Sequence, residues 1–258
     1  MTPGHQQGGG LSAWRGRLEI VALVVFISLG LVMIWKLALK DTGIASTARV
    51  AGRQTAIKPP PPPPPRLPVD PISIAGAVLK GTPSAPVAIV EYSDFECPYC
   101  ATFVKTTLAD LDREYIVTGR VLFAFRHLPL ESIHKRAFRA AEASECANRQ
   151  GRFWDFHDTL FQNPKEMDEP SLGRRAADLG LNVSAFSACL DGQATDKVRQ
   201  DVGEAGRLGV RGTPTFFIGV TGPDGLVTVT DRISGARPLS AFKEAIDKAM
   251  AAASAETR

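Results

Sequence analysis

Two cysteines three positions apart, in Cys97-Pro98-Tyr99-Cys100, are the pair in this 258-residue chain whose type and spacing fit them to react together. At the N-terminus of a helix, the first sulfur would face unpaired backbone N–H groups and the positive end of the helix dipole, which stabilise a thiolate. Pro98 suits the first helical position, where its missing N–H costs nothing. Cys100, one turn on, is placed to attack a mixed disulfide at Cys97 and close a small ring. The chemistry is thiol–disulfide exchange, with Cys97 as nucleophile and Cys100 as resolving thiol. Zinc binding is the competing use of such a pair, but a tetrahedral site needs further ligands, and the sequence has neither a second CxxC nor an HxxxH. His127, His134 and His157 are scattered and read as structural residues, so no metal or cofactor is expected.

The surrounding elements fit that use. Residues 87–92 (VAIVEY) read as a buried strand, and residues 95–100 turn into a helix running to about residue 115. A second strand covers 121–125. Ile133, Ala137, Ala140, Ala141, Ser144 and Ala147 mark a helix that stops at Gly151. Further helical patterns cover 153–161, 172–179 (capped by Gly180), 183–190 and 198–208 (ending at Gly209). In the first of these, Phe153, Trp154, Phe156 and Phe161 read as core. A strand at 215–220, a turn at Pro223-Asp224-Gly225, a strand at 226–230 and a helix at 240–253 complete the chain. This order predicts an α/β sandwich with a helical insertion at about 131–212.

Three segments, VEYSDFECPYC (90–100), AAEASECANRQGRFWDFHDTLF (140–161) and VRGTPTFFIG (210–219), together resemble the DsbA-like thiol:disulfide oxidoreductases of the thioredoxin superfamily. The resemblance covers roughly residues 71–250 and implies a thioredoxin fold interrupted by a helical domain. It also implies that Pro214 is cis and faces the CxxC motif, and that Thr213 offers its backbone to an extended substrate peptide. Glu91, six residues before Cys97, falls where family members carry a buried acid. There a raised pKa would let it relay the proton of Cys100, whereas a paired or solvated strand-end acid is the plainer alternative. Cys146 and Cys189 correspond to a second pair that related proteins often join in a disulfide; two buried, reduced cysteines are the alternative. The family's namesake carries His between its cysteines where this chain has Tyr99, so the resemblance does not fix oxidising strength.

Before the redox domain, residues 18–39 form an apolar run long enough, at about 33 Å, to span a bilayer core of ~30 Å. An uncleaved anchor is expected there, with a cleaved signal peptide as the rival and residues 1–17 as a cytoplasmic tail. Seven consecutive prolines, Pro59 to Pro65, make the 40–70 segment a stiff polyproline spacer. The chain's net charge of +3 resolves into +5 for residues 1–70 and −2 for 71–258. The working domain is therefore not basic, and nucleic-acid binding is excluded. Positive charges flank both ends of the apolar run, so their count does not orient it; a Cys146–Cys189 disulfide, as the resemblance implies, favours an extracytoplasmic, periplasmic domain. The resulting expectation is a single-pass membrane protein that forms disulfides in reduced or misoxidised secreted proteins. Its implied partner is a quinone-linked membrane reoxidase. A reductase or isomerase fed by a membrane electron donor, and a tethered binding or chaperone module with a vestigial CxxC, are the alternatives.

Overall fold

The strand Val87–Ser93 (β3) is buried along all seven residues, as expected of an apolar run covered on both faces. The structure, a computed structural model, describes residue 67 and residues 70–256. The expected membrane span over 18–39 and nearly all of the 40–70 linker lie outside the described residues. Among the described residues no helix is long and apolar enough to cross a membrane.

β3 pairs in parallel with β4 (Val121–His127) and antiparallel with β5 (Thr215–Thr221), in a register that sets Glu91 opposite both Phe125 and Phe216. A parallel neighbour requires a crossover, supplied here by the helical run α1. It starts at Pro98–Phe103 and continues to residue 116 through two wider turns, so that Val117 N–H donates to the Asp112 carbonyl five residues back. β5 turns back at Pro223-Asp224-Gly225 into β6 (Leu226–Ser234). Two short strands not anticipated from the sequence, β1 (Ile72–Ser73) and β2 (Val78–Lys80), complete a six-stranded sheet in the order β1-β6-β5-β3-β4-β2. The strand alternation sends Val87 and Ile89 to one face and Ala88, Val90 and Tyr92 to the other. The first face packs against Phe103 of α1 and Phe242 of α7 (Leu239–Glu256). On the opposite face Ala205 and Val210 pack with Val90, Tyr92 and Phe217 of the sheet.

Between β4 and β5 lie α2 (Ala137–Asn148), α3 (Phe153–Gln162), α4 (Glu169–Asp178), α5 (Val183–Leu190) and α6 (Thr195–Arg207). Asp168 and Asn182 cap α4 and α5 by accepting the N–H groups of Ser171 and Ala185. Gly180 and Gly209, at φ of 70° and 65°, end α4 and α6 in the left-handed conformation that favours glycine. Phe153, Phe156 and Phe161 are buried, and they share one core with Phe95, Phe125 and Cys100. The insertion is thereby packed directly under the CxxC motif. Buried polar groups fix it to the sheet as well: Arg126 on β4 pairs with Asp201 on α6 at 2.7 Å, and His127 meets Glu145 on α2 at 2.9 Å.

One expected boundary is corrected. α2 begins at Ala137, not near Ile133, which is 68% exposed. The Asp94 carboxylate takes the Leu130 N–H and the His134 ring at 2.8 Å each, which holds the preceding residues in a turn where local periodicity reads helix.

Candidate active site

Cys97 is the N-cap of α1, in extended conformation at φ −74° and ψ 121°, and Pro98 opens the helix. Its loop is braced from within. The Asp94 carbonyl accepts the Cys97 N–H at 3.1 Å, and one carboxylate oxygen accepts the Glu96 N–H at 2.8 Å. Asp94 is buried, so these bonds are made where water does not compete. The Thr213–Pro214 peptide bond is cis, and the Cys97 thiol donates to the Thr213 carbonyl at 3.3 Å.

The two sulfurs are chemically unequal. Cys97 is lowered from 9.0 to about 5 by the hydrogen bond from Cys100, with the Thr213 side chain and the backbone N–H groups of Cys100 and Tyr99 adding to it against the opposing effect of burial. Cys100, fully buried, is pushed well above the ordinary thiol range by burial, by its bond to Cys97 and by the charge of Glu91. Both are present as thiols. At neutral pH one is thus a ready nucleophile and leaving group, while the other needs a base before it attacks.

A carboxyl group lies in that region. Glu91 is fully buried on β3, and neither of its oxygens has a hydrogen-bond partner. Burial raises it from 4.5 to about 8; the nearby Ser93 hydroxyl offsets part of this without making a hydrogen bond, and negative charge at Cys97 adds to it. The paired and the solvated descriptions of Glu91 are both inconsistent with these surroundings.

Comparison with known proteins locates this geometry. The family model described as thioredoxin matches residues 74–236, more than half of the chain. The chain belongs to the thioredoxin family. Alpha-DsbA1 of Wolbachia pipientis superposes with a TM-score of 0.61 at 29% identity, covering 75% of this chain and 96% of that one. BdbD from Bacillus subtilis does so at 0.58 and 26%, covering 69% and 97%. Within that family its fold is DsbA-like. Among curated relatives, the Na(+)/H(+) antiporter NhaA 3 of Salinispora tropica is 40% identical over 141 residues, which is 54% of this chain and 21% of that protein. The chain spans about a fifth of the length of that relative.

Around the thioredoxin-family core the remaining sequence-derived residues fall as follows. Cys146 on α2 and Cys189 on α5 are joined in a disulfide, with Cα atoms 5.7 Å apart. It lies within the insertion. His157 is fully buried among Phe95, Phe125, Phe153 and Phe161, its Nδ1 against Asp158 at 2.8 Å. Thr213 and Pro214 form one wall of a groove of about 430 Å³ that also takes in Tyr99, Arg211, Thr215 and Arg232. A larger cavity of about 670 Å³ runs along α1 and α3 past Thr102, Lys105 and Phe161, and includes neither cysteine nor the Thr213–Pro214 loop. Sequence reasoning missed Asp94 and the two groove arginines. Asp94 carried a local signal, an Asp three residues before a helix-opening Cys-Pro. Arg211 and Arg232 meet only through the β5–β6 pairing and carried none.

Proposed function

We propose that this chain is a membrane-anchored, extracytoplasmic oxidase of protein dithiols, acting on secreted or envelope proteins. The observation that carries the reading is the inequality of the cysteines: a stabilised thiolate at Cys97 beside the Thr213 carbonyl, and a buried Cys100 next to an unpartnered carboxyl group. A substrate thiolate attacks the Cys97 sulfur of the Cys97–Cys100 disulfide; the S–S bond breaks and Cys100 leaves with the electron pair, taking a proton. A second substrate thiol gives up its proton and attacks the substrate sulfur of the mixed disulfide, and Cys97 leaves as the thiolate that its surroundings favour. Two substrate thiols are oxidised to a disulfide, and the protein's disulfide is reduced to a dithiol. Glu91, protonated over much of the neutral range, supplies and removes the Cys100 proton. The Thr213 backbone pairs with the extended substrate segment.

Three features support the location. The Cys146–Cys189 disulfide suits an oxidising compartment, residues 18–39 are long enough to anchor, and the proline run separates them from the redox domain. Restoring the Cys97–Cys100 disulfide falls to a quinone-linked membrane reoxidase. Ion transport is not taken over from the antiporter relatives, since the match spans only 21% of the Salinispora tropica protein. The test is oxidative refolding of a reduced model protein by the oxidised full chain. Disulfide formation is expected to be catalysed, and to be lost in Cys97→Ser; activity unchanged by that substitution would leave a tethered binding module as the better description.

A further inference from the structure

The groove beside Cys97 carries charge that the exchange chemistry does not use. Its lining includes two guanidinium groups, Arg211 from the segment before β5 and Arg232 from β6, and no carboxylate. Arg211 is exposed, and neither side chain has an ion-pair partner among the described residues. Arg232 is held in place: it lies across from Phe217 with its guanidinium 5.2 Å from that ring, and Nη2 donates to the Gly209 carbonyl at 3.3 Å. Its Nε is buried without a hydrogen-bond partner. The nearby acids are engaged elsewhere. Asp231 points to the other face of the sheet and pairs with Lys248 of α7 at 3.4 Å, Glu204 pairs with Arg126, and Glu96 of the CxxC loop pairs with Arg136 at 2.9 Å. A partly buried cation with no counter-charge carries a desolvation cost that one ring contact and one carbonyl only partly offset. Because stacking on Phe217 fixes it, an anion entering the groove would meet it with little further loss of side-chain entropy.

Resting on the reading of Cys97 as the sulfur that exchanges with substrate, we propose that this groove selects substrate segments with Asp or Glu beside the reacting cysteine. Arg232 is the fixed contact and Arg211 the outer one. The chemistry gives such selection a purpose. An acidic neighbour disfavours the substrate thiolate and repels the thiolate at Cys97, so these cysteines exchange slowly in a neutral groove. Two guanidinium groups remove that handicap where the sulfurs meet. The preference is local, since residues 71–258 carry a net charge of −2 and do not attract acidic chains as a whole. The Cys97 thiolate is held by Cys100, Thr213 and the first N–H groups of α1, not by either arginine, so recognition and thiolate stabilisation are separable by substitution.

The test measures disulfide transfer from the oxidised full chain to three dithiol peptides that differ only in carrying Asp, Asn or Lys beside the cysteines. The Asp peptide is expected to react about tenfold faster than the Lys peptide, with a ratio that shrinks as salt is raised. In the Arg211→Gln/Arg232→Gln double variant the ratio should fall to within about twofold. The readout is a ratio within each variant, so a general loss of activity does not imitate it. Transfer without charge preference in the parent chain, or a preference that survives the double variant, overturns the selection alone. No transfer to any peptide overturns the exchange reading and the selection with it.

Discussion

Replacing Glu91 by Gln should stabilise the reduced protein, by an amount that grows with pH. The carboxyl group is fully buried and both oxygens lack partners, which raises it from 4.5 to about 8. A group with a raised folded-state pKa binds its proton more tightly in the folded chain. Its stabilisation is complete below the unfolded value of 4.5 and is lost as pH rises toward 8. At pH 7 the loss is about 3 kcal/mol, at ~1.4 kcal/mol per pH unit. Gln and protonated Glu are both neutral, polar and unpartnered at this position, so the cost of burying a neutral group largely cancels between them. Urea denaturation of the reduced parent and Glu91→Gln should therefore show near-equal stability close to pH 4.5 and a gain of about 3 kcal/mol for the variant near pH 7, with unchanged m-values. A gain that is flat with pH, or larger in acid, would refute the burial of an unpaired carboxyl group as the cause.

Two further outcomes follow from the same geometry. Because Cys97 is lowered to about 5, its thiolate stabilises the reduced fold at neutral pH by about 2 kcal/mol after screening by water, and this is lost as pH falls through 5. The melting temperature of the reduced form, measured relative to that of the oxidised form, should accordingly be higher near neutrality than in acid and should fall as pH drops through 5. Replacing both Cys146 and Cys189 by Ser, which opens a loop with a sequence separation of 43, should lower stability by up to about 4 kcal/mol in denaturant titrations while leaving Cys97 reactive toward alkylating agents.

Much of the fold was legible because its long elements announce themselves locally. β3, β4 and β5 are apolar runs, and α4 and α6 end at Gly180 and Gly209, in the left-handed conformation that favours glycine. β1 and β2 were not readable: at two and three residues they exist only through pairing with β6 and β4, and no local pattern encodes a partner. α2 was drawn four residues too early because Ile133 continues the apolar period of that helix, while the turn that excludes it is set by Asp94 from a distant segment. The site divides in the same way. The CxxC pair and its helix N-terminus follow from spacing and proline placement. The choice among a relay, a paired acid and a solvated acid at Glu91 depended on what packs around β3, which only the sheet's neighbours determine. Arg211 and Arg232 look in sequence like ordinary surface cations, and their convergence on one groove is a product of strand pairing.

Trapping the thiols of Cys97 and Cys100 in intact cells tests the oxidase reading most directly. Rapid acid quenching followed by alkylation should find the pair predominantly as the disulfide, ready to accept electrons from substrate thiols. A pair found predominantly reduced would contradict oxidation as the working direction and make the protein a reductase or isomerase.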